Sequence, residues 1–430
     1  MDTDIVLLIG FAAGVALLCR VAAVVFDKTP LTAPIVAVGL GIAAGPSGLG
    51  FFQYGVHSGH FIALLAELAL ALILFHDAAR IDMRLLRKNL GAPERLLGPG
   101  LAMTILLGFG LGALFLDGLH LLEIALVAAL LAPTDAALGQ AVVTQESVPI
   151  RVRQALNVES GLNDGLVVPV VAVLMACAAG TSDAGPYEWL IEGARVSGIG
   201  AGVGVVLGLL GAKLMDAIYQ AGWTKSGPRA EAVAAIPIAT YFIAELFHGS
   251  GFLAAFIAGL AMGSTIKRLP RPTFHLTEDI GDYLGLITWT FFGIAAVPFA
   301  ARCFGADTIL YALASLTLVR MIPVALALTG TGFRFDTKLF IGWFGPRGLA
   351  TVVFAFAVLG REDIAGAERI FGLAVWTILL SVLLHGLTSS SLAKRFGARC
   401  AAREGGESVP SHVAVETIVY PSPKRGHPSD

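Results

Sequence analysis

Cysteine and charge are both scarce in this 430-residue chain. The four cysteines, Cys19, Cys177, Cys303 and Cys400, are scattered and form no CxxC pair. That spacing excludes a disulfide scaffold and offers no ligand set for zinc or an iron–sulfur cluster. Charged residues make up 14% of the chain, against about 25% in an ordinary soluble domain. Lys and Arg number 29 and Asp and Glu 31, a net charge of -2, which leaves no basic footprint for nucleic acid. No GxGxxG or Walker motif occurs, so neither an ATPase nor a nucleotide-sensing module is supported, and no cofactor is called for. The opening Met1-Asp-Thr-Asp lacks the basic n-region of a cleavable signal peptide.

Apolar residues dominate instead. They make up 56% of the chain, with 51 glycines, and mean hydropathy is +0.79. A membrane helix needs about 20 mostly apolar residues, and residues 96–116, 246–266 and 370–393 contain no Asp, Glu, Lys or Arg at all. Small residues let such helices approach closely. The pattern predicts an all-α polytopic membrane protein of thirteen spans: roughly 4–25, 30–48, 60–78, 96–116, 119–145, 154–179, 188–212, 230–248, 250–266, 281–300, 306–329, 337–360 and 369–392. Counting basic residues over the loops orients it. Placing the loop after the third span inside gathers 22 of the 29 there, including Lys28, Arg80, Arg84, Arg87, Lys88, Arg95, Lys225, Arg229, Lys267, Arg268 and the tail's Lys424 and Arg425. Three (Arg302, Arg361, Arg369) fall outside and four within the membrane. The amino terminus is therefore expected outside and the carboxy terminus in the cytoplasm, with the polar stretch 395–430 as a disordered tail.

Ionisable groups within the hydrocarbon are costly, and each is a functional candidate. Span 5 carries Leu131-Ala-Pro-Thr-Asp-Ala136, where Pro133 should break the helix and free carbonyls beside Thr134 and Asp135. Span 6 carries Asn157-Val-Glu-Ser-Gly-Leu-Asn-Asp-Gly165. Glu159 and Asn163 share a face there, while Asp164 points about 140° from Glu159 and can face a transported species. The bland alternative is a helix start capped by Ser160 or Asn163. Arg320 in span 11 and Arg347 in span 12 supply counter-charge, and Gly345-Pro-Arg-Gly348 predicts a second helix break. Breaks in spans 5 and 12, an odd number of crossings apart, predict an inverted repeat of spans 4–6 and 11–13 with its binding site at the crossing. Half-helix N-termini there would be offset by Asp135 and C-termini by Arg347, leaving Arg320 to pair with Glu159. Glu67 either gates access or pairs with a neighbour; His76-Asp77 is either interfacial or a proton relay. Arg20, Arg195 and Glu245 read as snorkelling or structurally paired groups, and His385 as a helix–helix contact.

Pro133-Thr-Asp135, Glu159-Ser-Gly-Leu-Asn-Asp164, Gly345-Pro-Arg-Gly348 and Gly45-Pro-Ser-Gly-Leu-Gly50 together resemble the monovalent cation:proton antiporters of the NhaP/NHE branch, over about residues 5–392. The resemblance implies an NhaA/NhaP-like antiporter fold in the plasma membrane, working as a homodimer by an elevator-like movement. Within a transmembrane domain of residues 1–394 it implies core helices at about 96–179 and 306–392, dimerisation helices at about 4–78 and 230–300, and a linker helix at about 188–212. Carried over residue by residue, Asp164 would carry cation and proton, and Asp135 and the Thr134 carbonyl would complete the site with a contribution from Ser160. Glu159, Asn163 and Arg320 would form a supporting cluster, with Arg347 balancing the crossing. The chain departs from the family pattern at Phe75-His-Asp-Ala-Ala-Arg80 and at Ala136 and Ala137, changes that bear on cation preference and pH response.

A carboxylate that binds either H⁺ or a monovalent cation makes the two compete. Asn163 cannot carry a proton, so one titrating carrier predicts about one H⁺ per cation and an electroneutral cycle. The expected activity is thus Na⁺/H⁺ exchange, with Li⁺ or K⁺ as other cations, and no enzymatic reaction. A K⁺/H⁺ efflux exchanger or an electrogenic relative of the same fold is the nearest alternative, and an ion channel would not need the titrating carboxylate. A remote alternative takes Gly45-Pro-Ser47-Gly48 as the GxSG of an intramembrane serine protease with His385 as base, and leaves Asp135, Asp164 and both arginines unexplained.

Overall fold

The computed structural model describes residues 3–22, 29, 31–53, 60–80, 91–135, 138, 142–143, 145–179, 186–221, 230–266 and 271–404. Every regular element among them is helical: α1 Thr3–Val21, α2 Ala33–Ala44, α3 His60–Ala79, α4 Gly91–Phe115, α5 Leu121–Leu130, α6 Ile150–Ala179, α7 Pro186–Gln220, α8 Ala230–Leu246, α9 Gly251–Thr265, α10 His275–Cys303, α11 Ala306–Ala327, α12 Phe335–Trp343, α13 Leu349–Leu359 and α14 Ala367–Glu404. Among the described residues the thirteen expected spans appear as these fourteen helices, with span 12 split into α12 and α13 around Phe344–Gly348. Among the described residues six helices, α4, α6, α7, α10, α11 and α14, are long and apolar enough to cross a membrane unaided. The shorter α5 and α12 stop just before Pro133 and Pro346, which leave the backbone without an N–H.

The helices pack in two sets. α3 lies between α9 and α10, with α7 and α8 against α9 and with α1 and α2 against α10; α4, α5, α6, α11, α12, α13 and α14 form the other set. Between lipid-soluble helices there is little hydrophobic drive to associate, so close van der Waals fit has to do it. Glycine provides that fit in the first set. A Cβ at Gly259 of α9 would overlap the Phe75 carbonyl of α3, and one at Gly293 of α10 would overlap the Val38 carbonyl of α2. The large exposed side chains, such as Leu17 on α1, Leu210 and Leu214 on α7, and Leu246 on α8, fit a surface facing acyl chains rather than water.

Two sequence expectations change. α14 runs on to Glu404 instead of ending near residue 394. Phe396 is buried there and stacks on Phe340 of α12 with centroids 4.0 Å apart and planes 13° apart, so the polar turn begins inside an anchored helix. α6 begins at Ile150 rather than near 154, which puts Ser160 and Asn163 in mid-helix and removes the capping explanation for them. Lys28, Arg84, Arg87, Lys88, Ala136, Ala137, Lys225, Arg229, Lys267, Arg268 and the tail from 405 onward lie outside the described residues.

Gly259→Ala should lower the thermal unfolding temperature in detergent, at a cost of about 1–3 kcal/mol typical of overpacking. Gly202→Ala is the control, because a Cβ at Gly202 meets nothing within 4 Å. Equal unfolding temperatures for the two variants would remove the close-packing account of the α3–α9 contact.

Candidate functional site

The two helix breaks meet. Beyond α5 the chain runs without helix through Pro133, Thr134 and Asp135, and the Asp135 N–H donates to the Pro346 carbonyl at 2.8 Å. Each half-helix end carries orphan backbone groups and part of the helix dipole, and the side chains answer them by sign. Asp135 Oδ2 accepts from the Leu349 N–H at 3.1 Å, at the start of α13. Arg347 Nη1 donates to the Ala132 carbonyl at 2.7 Å and the Pro133 carbonyl at 3.2 Å, past the end of α5, while Nη2 donates to the Ser315 carbonyl of α11 at 3.0 Å. Arg347 is 0% exposed, so its charge rests on carbonyl dipoles. The motif glycines are sterically required: a Cβ at Gly348 would overlap the Asp135 carboxylate, and one at Gly345 the Arg320 guanidinium.

α6 passes beside this crossing. Glu159 and Arg320, 3% and 4% exposed, form a two-pronged ion pair with Nη2–Oε2 at 2.8 Å. Paired geometry of this kind is what makes a buried charge tolerable. Asn163 does not bond Glu159; its Nδ2 donates to Thr134 Oγ1 at 2.6 Å, and that hydroxyl lies 3.3 Å from Ser160 Oγ. The Thr134 hydroxyl is thereby occupied and links the α5 break to α6. Asp164 is half-buried and has no hydrogen-bond or ion-pair partner among the described residues. Two other carboxylates, Asp135 and Asp77, lie near enough to act on it electrostatically.

Asp77 comes from α3, in the other set of helices. A Cβ at Gly161, one turn before Asp164, would stand 3.8 Å from the Asp77 Cβ and 4.0 Å from its Oδ2. Just past Asp164, the Phe256 ring of α9 covers Gly165 so closely that a side chain there would overlap it. Asp164 therefore sits where the two sets of helices touch, with an acidic neighbour on one side and an aromatic ring on the other. Beside Asp77, His76 is buried, with Nδ1 3.1 Å from the Phe274 carbonyl and Nε2 3.3 Å from both Arg80 Nη1 and Glu278 Oε2. The sequence held only the suggestive pair His76-Asp77 and could not place it against Asp164, because 164 − 77 = 87 positions separate the two aspartates.

The other sequence candidates resolve as follows. Glu67 accepts from Tyr241 Oη at 2.9 Å, Glu245 accepts from the Gly251 N–H at 2.9 Å, Arg20 pairs with Asp282 at 3.0 Å and Arg195 with Glu192. Ser47 is exposed in the turn after α2, whereas His385 is fully buried in α14 with Nδ1 3.1 Å from Ser381 Oγ; they form no protease dyad. Sequence reading did not single out Ser315 and Ser381, the two serines that hold Arg347. The signal available was their place in spans carrying Arg320 and His385. Among the described residues, no group of three or more His, Cys, Asp or Glu side chains has the arrangement of a resident metal site.

The profile of the family described as sodium/hydrogen exchanger, transmembrane, matches residues 13–395. The Na(+)/H(+) antiporter ApNhaP of Aphanothece halophytica is 26% identical over 434 residues, covering 96% of this chain and 79% of that protein. The K(+)/H(+) antiporter NhaP of Alkalimonas amylolytica is 28% identical over 400 residues, and the K(+)/H(+) antiporter NhaP2 of Shewanella baltica 26% over 370. The chain spans 65% and 62% of the lengths of these two. In fold it is similar to the sodium proton antiporter MjNhaP1 from Methanocaldococcus jannaschii at pH 8, with a TM-score of 0.71 and 23% identity over 90% of this chain and 100% of that one. The chain is a polytopic membrane transporter, not an enzyme, and belongs to the sodium/hydrogen exchanger family.

Proposed function

We propose that this protein exchanges one monovalent cation for one H⁺ across the plasma membrane, Na⁺ foremost, with Asp164 as the single group that takes either. The observation that carries this reading is the free carboxylate itself. Glu159 is neutralised by Arg320 and Asp135 is engaged at the start of α13, while Asp164 has no fixed partner among the described residues. Carboxylates crowded at one site repel unless a proton or a cation sits among them. A cation arriving at Asp164 and a proton leaving it are then alternatives for the same place. Oxygens for a dehydrated cation are at hand in Asp164, Asp135, Ser160 and the Thr134 carbonyl, with Asp77 adding negative charge from α3.

With one carrier, the loaded site has the same charge in both directions, and exchange is electroneutral. The α4–α6 and α11–α14 set forms the moving core in this reading. α1–α3 and α8–α10 form the scaffold and dimerisation surface, α7 is the linker, and the basic loops face the cytoplasm. Glu67, held by Tyr241, stands in the scaffold as a candidate gate. K⁺/H⁺ exchange is the second reading, favoured by the names of the NhaP and NhaP2 relatives.

Reconstituted protein given a Na⁺ or K⁺ gradient should move protons, read by an internal pH dye, and Asp164→Asn should abolish that movement. Intact exchange in a folded Asp164→Asn protein would sink the assignment. Clamping the membrane potential should leave the wild-type rate unchanged; moving one uncompensated charge costs about 2.3 kcal/mol per 100 mV, so a voltage-dependent rate would make the cycle electrogenic. Glu159→Gln should destabilise the folded protein by about 3–5 kcal/mol by stranding Arg320. Replacing both partners with apolar residues of similar volume should recover much of that stability, and unfolding in detergent measures both changes.

A further inference from the structure

α14 is an apolar helix with buried polar side chains facing the α12–α13 break. Ser381 and His385 are both 0% exposed and stand one turn apart. Ser381 Oγ accepts from the backbone N–H of Arg347 at 2.7 Å. That N–H belongs to the unwound stretch between the half-helices, where it has no helical carbonyl to meet. With Oγ used as an acceptor, the hydroxyl proton needs an acceptor of its own; His385 Nδ1 lies 3.1 Å from that oxygen and 3.1 Å from the Ser381 carbonyl, and it accepts the hydroxyl proton in the tautomer that carries its hydrogen on Nε2. The imidazole ring in turn packs against Trp343, the last residue of α12, with centroids 5.1 Å apart. Trp343 Nε1 donates to Thr388 Oγ1 of α14 at 3.2 Å. His385 Nε2 is buried without a hydrogen-bond partner among the described residues, so the ring is kept at an unmet polar cost that a purely apolar side chain would not incur.

We propose that Ser381 and His385 act as a positioning pair: His385 fixes the Ser381 hydroxyl, and that hydroxyl holds the Arg347 backbone so that the two helix breaks stay in register. The consequence reaches the site through bonds already described. Pro346 receives the Asp135 N–H, and Leu349 donates to the Asp135 carboxylate; both flank Arg347. Letting Arg347 shift displaces both contacts and reorients Asp135 relative to Asp164. Neither residue touches the cation. Both act on its affinity through the backbone of the break, and this inference rests on the crossing being the exchange site.

The test uses the full-length protein in lipid nanodiscs and proteoliposomes, with Ser381→Ala, His385→Ala, His385→Asn and the double variant Ser381→Ala/His385→Ala. Asn can present its Oδ1 near the place of Nδ1 and should behave like wild type. In hydrogen–deuterium exchange, Ser381→Ala and His385→Ala should lose protection over residues 344–349 and keep it in α4 and α9. In transport, both should raise KM for Na⁺ (or K⁺, whichever the wild type exchanges) roughly five- to tenfold, the effect of one buried hydrogen bond, with smaller changes in the maximal rate. The double variant should be no worse than Ser381→Ala alone, because the two act as one unit.

Unchanged protection at 344–349 overturns the proposal, whatever the transport result. So do additive effects of the two substitutions, or a fall in maximal rate with KM unchanged. If Ser381→Ala does not fold, the contrast between His385→Ala and His385→Asn decides. A wild type that exchanges no cation removes the functional reading instead, and the exchange protection still tests the pair.

Discussion

Two half-helix ends brought together inside a membrane are untenable unless something answers their partial charges, and this protein is built around the answer. Arg347 gives its guanidinium to the carbonyls beyond α5, and Asp135 gives its carboxylate to the first N–H of α13. Each charge comes from one broken segment and is spent on the other, so neither break is stable alone. That mutual dependence explains the composition of the motifs. Proline ends each half-helix, glycine on either side of Arg347 admits a neighbouring side chain, and the charged residue sits where the other helix stops. A water-filled environment would screen such dipoles; a low-dielectric interior screens them far less.

Once the crossing is balanced internally, the charges around it fall into separate roles. Glu159 and Arg320 cancel each other a short distance away and knit α6 to α11. Asn163 and Ser160 are tied to Thr134 and join α6 to the α5 break. Among the described residues Asp164 has no such bond, and neither has Asp77, which approaches it with Phe256 from the second set of helices. In the proposed exchange, a carboxylate with no structural duty responds to proton and cation, and its place between two helix sets would let a change of occupant be felt by both.

The two sets are held together internally by different means. The α3–α9 and α2–α10 contacts rely on glycines that let backbone meet backbone, whereas the set containing the crossing relies on buried polar bonds. Backbone contacts of the first kind are rigid and geometrically specific, as a static scaffold would require. Polar links through Ser315, Ser381 and Thr134 hold an unwound backbone in place where regular helix cannot.

Much of this was legible in the sequence because the governing physics is local. Span number and placement follow from the length of uncharged runs, the breaks from Pro133 and from Gly345-Pro-Arg-Gly348, and the opposite duties of Asp135 and Arg347 from the polarity of helix ends. The helical spacing already set Asp164 apart from the face shared by Glu159 and Asn163. Partner choice was not legible, because it depends on which helices touch. The sequence could not say that Asn163 bonds Thr134 rather than Glu159, that Arg347 rests on carbonyls and Ser315, or that Asp77 stands against Gly161. Nor could it say that α14 continues through Phe396 to Glu404, since the stacking partner Phe340 lies in another helix. Hydropathy decides which segments enter the membrane; only the packing of distant helices decides what each buried charge finds there.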